Sequence, residues 1–177
     1  MKEKITVLIA DDNQEFSRTL ATYLRNQEDM EVIGIAKDGL EAVDLIKEKL
    51  PDVAILDVIM PHLDGLGVLE RVNNSSNELD KKPICIMLSA VGQDKITQRA
   101  ISLGAEYYMV KPFDIELLMQ RIREIKNFKP RGTRNNFVIR ESKRTPYVNV
   151  NSSKAEDKLE ALVTNIIHGV GVPAHIK

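Results

Sequence analysis

Short runs of apolar residues alternate along the first 126 residues with segments in which apolar residues recur at every third or fourth position. A continuous apolar run of four to eight residues, bounded by polar residues, is typical of a strand that is buried on both faces. Such runs predict five strands, at Ile5–Ala10, Met30–Ala36, Val53–Leu56, Ile84–Leu88 and Tyr107–Val110.

The segment after each strand has the period of an amphipathic helix. The apolar residues that predict the five helices are Phe16, Leu20 and Leu24; Leu40, Val43, Ile46 and Leu50; Leu66, Leu69 and Val72; Ile96, Ala100 and Ile101; and Leu117, Leu118, Ile122 and Ile125. Asp12 or Asn13 could cap the first helix. Pro51 closes the second, and Gly104 is placed as a left-handed terminator of the fourth.

Strands and helices that alternate through short loops predict an α/β protein with a parallel sheet covered on both faces. Right-handed crossovers leave few arrangements of five such strands. We therefore expect a flavodoxin-like, doubly wound fold with five parallel strands and five helices.

The remainder of the chain breaks this alternation. Residues 127–154 contain Pro, Gly and Asn-Asn with no sustained period, which predicts an interdomain linker. Residues 155–177 hold one amphipathic helix that follows a capping box at Ser153–Glu156. Its apolar face needs partners that this chain does not contain. The expected division is a domain over 1–126, a linker over 127–154, and the start of a truncated domain over 155–177.

The formal net charge of −1 conceals a segregation of charge. The first 126 residues carry −6, the linker carries +6, and the last 23 residues carry −1. The near-zero total therefore does not exclude a regulator that binds DNA. The single cysteine, Cys85, excludes an internal disulfide, and its apolar surroundings favour a core role. With neither a membrane-length apolar run nor a signal-like N-terminus, we expect a cytoplasmic protein without membrane contact.

Polar side chains follow four of the five predicted strands directly. Asp11 and Asp12 follow the first strand, Asp57 the third, Ser89 the fourth and Lys111 the fifth. Each has an ordinary interpretation as a cap or a strand end. Because the carboxyl ends of parallel strands meet at one edge of the sheet, however, all five are expected to converge there in a ligand site.

The charges at this edge select a ligand. Two carboxylates about 4 Å apart repel by roughly 4 kcal/mol at an effective dielectric constant near 20, so the cluster favours a divalent cation. Oxygen donors without His or Cys favour Mg²⁺ over zinc, and Mn²⁺ or Ca²⁺ could take the same place. A cation and a lysine in one pocket are suited to neutralising a phosphoryl group. Asp57 is the best candidate nucleophile, since it is a single Asp on the central strand.

These residues resemble the receiver domain of two-component response regulators over residues 4–126. The motifs that match are Asp11-Asp12, Asp57 with Met60-Pro61 and Asp64-Gly65, Ser89-Ala90, and Lys111-Pro112-Phe113. The resemblance implies that Asp57 accepts phosphate from a histidine kinase or a histidine phosphotransfer protein. It also implies a cis bond before Pro112 and a homodimer induced by phosphorylation.

The same resemblance implies a role for each site residue. Asp12 and Asp57 would bind Mg²⁺ directly, Asp11 would bind through water, and the main-chain carbonyl of Ile59 would complete the set. Ser89, Ala90 and Lys111 would surround the phosphoryl group. Tyr108 would rotate inward as Ser89 is drawn to the phosphoryl oxygens.

The end of the chain narrows the resemblance. Ile166-Ile167-His168 and Gly171–Lys177 are similar to the opening of the effector domain in the stage zero sporulation protein A family, which regulates transcription at the onset of sporulation. The helix-turn-helix of that family would lie beyond Lys177. We therefore expect DNA binding only in a longer protein.

Two alternatives remain open. One is a stand-alone receiver that shuttles phosphate in a phosphorelay. The other is an aspartate-nucleophile phosphotransfer enzyme, whose Asp-x-Asp motif would place an acid where this chain has Ile59. For that reason we expect an autocatalytic phosphoacceptor that turns over no external substrate.

Overall fold

The computed structural model describes residues 3–75 and 79–127. Strands and helices alternate in the order β1 Ile5–Ala10, α1 Gln14–Arg25, β2 Met30–Ala36, α2 Gly39–Lys49, β3 Val53–Asp57, α3 Gly65–Asn74, β4 Ile84–Ser89, α4 Asp94–Ser102, β5 Tyr107–Val110 and α5 Ile115–Asn127. The strands are parallel in the order β2-β1-β3-β4-β5. This arrangement confirms the predicted doubly wound, flavodoxin-like fold.

Each face of the sheet carries its own apolar core, because successive side chains of a strand point to opposite faces. Ile9, Ile55 and Leu88 pack on one face with apolar residues of α1 and α5. Leu8, Leu56 and Met87 pack on the other face with residues of α2, α3 and α4. All five residues of β3 are buried. The sheet is thus covered on both sides, and its carboxyl edge is left for polar side chains.

Side-chain caps start the first three helices soon after the preceding strand or loop. Asn13 accepts a 3.0 Å hydrogen bond from the Phe16 amide at the start of α1. Asp38 and Asp64 act in the same way at the starts of α2 and α3. Each cap satisfies an amide that the helix leaves unpaired. The chain can therefore turn sharply at the carboxyl edge, where the candidate site lies.

The predicted helical faces need three corrections. The apolar period predicts buried side chains at Leu40 and Leu117, but these side chains are 41% and 39% exposed. Leu40 follows the buried Gly39 and Leu117 precedes the buried Leu118, and adjacent helical residues point about 100° apart. The same period places Leu50 in the second helix, but Leu50 is the cap after that helix and has a left-handed φ of 47°.

Asn127, the first residue of the predicted linker, instead ends α5. The rest of that linker, residues 128–154, and the predicted helix in residues 155–177 lie outside the described residues. Among residues 3–75 and 79–127, no helix has both the length and the apolar character that crossing a membrane requires.

Candidate functional site

Three carboxylates meet at the carboxyl edge of the sheet. Asp11 follows β1, Asp12 is the next residue, and Asp57 is the last residue of β3. One oxygen from each carboxylate lies within 4.8 Å of the others. Asp11 and Asp57 are buried and Asp12 is exposed. Because β1 and β3 are neighbours in the sheet, the convergence that the sequence predicted follows directly from their pairing.

Asp11 is held in place by the chain around it. Its amide donates to the Ala36 carbonyl at 3.1 Å, and its Oδ1 accepts a 2.8 Å hydrogen bond from the Asn13 amide. The hydroxyl of Ser17 donates to the Asp11 carbonyl at 3.3 Å. One carboxylate oxygen is thereby directed to the Asn13 amide just before α1, and the other is left for the pocket.

Lys111 enters the pocket from the end of β5. Its Nζ lies 2.6 Å from Asp11 Oδ2 and 3.8 Å from Asp57 Oδ2. The same ammonium lies 4.2 Å from the centroid of the Phe16 ring, and the Phe113 ring meets Phe16 edge-on at 6.2 Å. The aromatic face and the two carboxylates therefore both attract the ammonium.

The local backbone brings Lys111 to this position. Its amide donates a 2.7 Å hydrogen bond to the Ser89 carbonyl, which joins the ends of β4 and β5. The Lys111–Pro112 peptide bond is cis.

The pKa of the Asp57 carboxyl is raised to about 6. Burial is the main cause, because it disfavours the charged form. The Lys111 ammonium and a hydrogen bond from the Ile59 main chain act in the opposite direction, while Asp11 and Asp12 raise the pKa further. Asp57 is therefore a carboxylate at neutral pH, but one that is poorly solvated and in need of a cation.

The loop after β3 follows Asp57 closely. The Val58 amide donates to the Leu88 carbonyl at 3.0 Å, and the Gly65 amide donates to the Val58 carbonyl at 2.9 Å. A Cβ on Gly65 would overlap the Asp57 carbonyl oxygen and lie 2.8 Å from Met87 Cε. The start of α3 can therefore pack against Asp57 only with glycine at position 65. The Ile59 side chain is 61% exposed.

Ser89 and Tyr108 are joined through one intervening residue. The buried Ser89 hydroxyl accepts a 3.0 Å hydrogen bond from the Val91 amide. The Tyr108 hydroxyl donates a 2.8 Å hydrogen bond to the Val91 carbonyl. Ala90 lies between Ser89 and Val91 and is exposed. A displacement of Ser89 would therefore act on the residue that also holds Tyr108.

The structure brings together most of the residues predicted from the sequence. The carboxylates of Asp11, Asp12 and Asp57 form one cluster with the Lys111 ammonium, and Ser89 ends the strand next to β3. Sequence reasoning missed two participants. Phe16 has the spacing of a core residue, which gives no sign of its contact with Lys111. Val91 acts through its main chain, which leaves no mark in the sequence.

Comparison with known proteins agrees with this geometry. Residues 7–123 match the family model described as the response regulator receiver domain. The receiver domain of CheB from Thermotoga maritima is 32% identical with a TM-score of 0.65, and the match covers 72% of this chain and 100% of that one. The signal receiver domain assigned to NarL from Mycobacterium tuberculosis is 31% identical with a TM-score of 0.65, over 72% of this chain and 99% of that one.

A third similar structure is a DNA-binding response regulator of the LuxR family from Staphylococcus aureus. It is 26% identical with a TM-score of 0.64, and the match covers 70% of this chain and 99% of that one. The family match spans more than half of the sequence and contains the acidic cluster and Lys111. This chain therefore belongs to the receiver domain family of two-component response regulators.

Proposed function

We propose that the protein is a response regulator phosphorylated on Asp57 in a reaction that requires Mg²⁺. The observation that carries the proposal is the position of Asp57, which shares one pocket with two other carboxylates and has the Lys111 ammonium 3.8 Å away. Asp57 is the most suitable nucleophile of the three. It ends the central strand, whereas one Asp11 oxygen is bonded to the Asn13 amide and the other to Lys111.

The donor atoms at this edge fit a hard divalent cation. Three carboxylates lie within reach of one another, and the Asp57–Ile59 segment adds main-chain oxygen. We assign Asp12 and Asp57 as direct ligands, Asp11 as a ligand through water, and the Ile59 carbonyl as the main-chain ligand. When bound, Mg²⁺ would neutralise charge on the transferred phosphoryl group.

In the proposed reaction, an Asp57 carboxylate oxygen attacks the phosphorus of a phosphohistidine on a histidine kinase or a phosphotransfer protein. A P–O bond to Asp57 forms and the P–N bond breaks, with its electron pair remaining on the imidazole of the donor. Lys111 pairs with the phosphoryl oxygens, and the Ser89 hydroxyl donates a hydrogen bond to one of them. Ala90, the next residue along the chain, lies beside the phosphoryl group. The acyl phosphate is the product, so no external substrate is turned over.

The link from Ser89 through Val91 to Tyr108 supports a conformational output. When Ser89 turns toward the phosphoryl group it leaves the Val91 amide, and Tyr108 loses its fixed partner on the same residue. We propose that this change alters the surface formed by α4, β5 and α5. Phosphorylation would then favour a homodimer through that surface.

We further propose that the full-length protein controls transcription, at the onset of sporulation, through a C-terminal DNA-binding domain. The support is the resemblance of residues 155–177 to sporulation effector domains, and these residues lie outside the described structure. Reading the gene beyond codon 177 tests this directly. A reading frame without a following helix-turn-helix would favour the stand-alone phosphorelay receiver instead.

The phosphoacceptor is tested by incubating the protein with acetyl phosphate and Mg²⁺ and measuring the added phosphoryl mass. We expect labelling of the wild type and of Asp44→Asn, which changes an exposed Asp on α2. Asp57→Asn should remove the label, and chelation of the metal should prevent it. Labelling of Asp57→Asn at the wild-type level would overturn the assignment, and sustained hydrolysis of a small phosphoester would favour the enzyme alternative.

A further inference from the structure

Gly39, the first residue of α2, lies directly against the loop that follows the phosphoacceptor. A Cβ at this position would overlap the Leu63 carbonyl oxygen and would lie 2.7 Å from the Leu63 carbonyl carbon and 2.8 Å from its Cβ. The obstacle is mainly backbone, which cannot turn aside as the end of a long side chain can. Position 39 therefore accepts no side chain unless the loop or the helix moves.

The local backbone does not otherwise require glycine. Gly104 is the described glycine with a left-handed φ, and Gly39 has no such conformation. Within a helix, alanine is the more favourable residue. The glycine is therefore explained by the close approach to Leu63 and not by the conformation of α2.

The first turn of α2 is held in place and cannot easily move away from Leu63. The Asp38 carboxylate accepts a 2.9 Å hydrogen bond from the Glu41 amide, and the Glu41 carboxylate accepts a 2.9 Å bond from the Lys37 amide. The helix is also held by buried side chains, including Ala42 and Ile46. A side chain at position 39 would therefore push the loop rather than the helix.

The loop transmits such a displacement toward the site. The Leu63 amide donates to the Pro61 carbonyl at 2.7 Å, and the Gly65 amide donates to the Val58 carbonyl at 2.9 Å. These two bonds close the segment between Asp57 and α3 into a compact turn. Ile59 lies inside that turn, so its main chain moves if Leu63 is displaced.

We propose that Gly39 is a positioning residue for the metal site. By allowing α2 to rest on the Leu63 carbonyl, it fixes the loop that presents the Ile59 carbonyl and thereby sets the affinity for Mg²⁺. The inference rests on the proposed function, because it concerns the ion that the reaction on Asp57 requires. It assigns a role at the site to a residue on a different helix and outside the acidic cluster.

The test measures the Mg²⁺ dissociation constant of the unphosphorylated full chain by calorimetric titration, together with urea unfolding and the amide resonance of Ile59. Gly39→Ala should weaken Mg²⁺ binding about tenfold, as changes in the residues that support metal ligands commonly do. It should also shift the Ile59 resonance in the absence of metal. Gly34→Ala is the matched control, because its Cβ would meet only side-chain ends at 3.3 Å or more.

The variant Ile46→Ala shows whether a general loss of stability is enough to weaken Mg²⁺ binding, because it creates a cavity in the buried face of the same helix. We expect this variant to unfold more easily while it binds Mg²⁺ as the wild type does. If Gly39→Ala does not fold, Leu63→Ala decides the matter, because it removes the side chain that holds the same loop against α3. Leu63→Ala should weaken Mg²⁺ binding in the folded protein.

The outcomes distinguish this inference from the proposed function. Wild-type affinity in Gly39→Ala, or in Leu63→Ala where the former does not fold, would overturn the role of Gly39 while labelling of Asp57 stands. An equal loss of affinity in Ile46→Ala would overturn it as well. A wild-type protein that binds no Mg²⁺ would instead overturn the proposed function, and this inference with it.

Discussion

The Lys111 ammonium lies 2.6 Å from Asp11 and 3.8 Å from Asp57, so it pairs mainly with the Asp11 carboxylate and only secondarily with Asp57, the proposed phosphoacceptor. This arrangement partly neutralises the acidic cluster without an ion. It also keeps the Lys111 ammonium close to the Asp57 oxygen that we propose to carry the phosphoryl group. Under the proposed function, Lys111 would therefore have two opposing effects on the site: it would compete electrostatically with Mg²⁺ and would assist phosphoryl transfer.

The variant Lys111→Met separates these two effects. Mg²⁺ should bind more tightly by several-fold, because a positive charge near the carboxylates is removed. Labelling by acetyl phosphate should slow by about a hundredfold, because the phosphoryl oxygens lose their cation. Calorimetric titration and the rate of labelling measure the two quantities. The control Lys95→Met changes an exposed lysine on α4 and should alter neither the Mg²⁺ affinity nor the labelling rate. Weaker Mg²⁺ binding in Lys111→Met would contradict the proposed competition between Lys111 and Mg²⁺.

The second prediction concerns the link between Ser89 and Tyr108. Beryllofluoride with Mg²⁺, which mimics the phosphoryl group, should shift the aromatic resonances of Tyr108 more than those of Tyr107. Tyr107 instead donates its hydroxyl to Glu124 at 3.2 Å and has no bond to Val91. In Ser89→Ala the response of Tyr108 should be lost, since the hydroxyl that holds Val91 is absent. A Tyr108 response that persists in Ser89→Ala would show that the signal takes another route.

Most of the fold and of the candidate site could be predicted from the strands and from the residues that end them. The apolar runs gave the five strands, and the polar residues after them gave the cluster of Asp11, Asp12, Asp57 and Lys111. Such features are local in the sequence, and the parallel sheet then brings them together.

Contacts between distant backbone segments could not be read in the same way. Gly39 meets a carbonyl 24 positions later, and Val91 contributes only main-chain atoms. The burial predicted for Leu40 and Leu117 is wrong because each exposed leucine lies beside a buried residue, and the period alone does not say which of two neighbours faces the core.

The third prediction follows from the raised pKa of Asp57, which is about 6 against an ordinary 3.8. The folded protein binds this proton more tightly than the unfolded chain, so the group lowers stability increasingly as the pH rises from about 4 to 6. Without metal, Asp57→Asn should therefore raise the free energy of unfolding by about 3 kcal/mol at pH 7.5.

The gain in the free energy of unfolding from Asp57→Asn should shrink as the pH falls from about 6 to 4, and it should vanish near pH 3.5. Urea unfolding in a chelating buffer at several pH values measures it. Asp44→Asn, on the exposed surface of α2, provides the baseline. A stabilisation that does not depend on pH would show that the charge on Asp57 is not its cause.

The last prediction concerns the amino ends of the strands, on the side of the sheet away from the acidic cluster. There Thr6 and Asp52 join the beginning of β1 to the beginning of β3. The Thr6 amide and hydroxyl each donate a 2.8 Å hydrogen bond to Asp52 Oδ2, and the Asp52 amide donates to the Thr6 hydroxyl at 2.9 Å. Lys81 pairs with the other carboxylate oxygen. Burial raises the pKa of Asp52, but the bonds from Lys81 and Thr6 outweigh it, so the pKa lies below its ordinary value.

A lowered pKa in the folded state means that Asp52 stabilises the protein above about pH 4, and that this contribution is lost as the pH falls through the folded value. Asp52→Asn should therefore lower the free energy of unfolding by about 1 kcal/mol at pH 7, a modest effect because the carboxylate is about one-third exposed. The difference from wild type should narrow below pH 4. Asp80→Asn changes an exposed carboxylate beside Lys81 and should have little effect. Asp52 and Thr6 lie at the amino ends of the strands, whereas the carboxylates of Asp11 and Asp57 lie at the carboxyl ends. Labelling of Asp57 should therefore be unchanged in Asp52→Asn. A loss of labelling in the folded variant would contradict this separation of stability from chemistry.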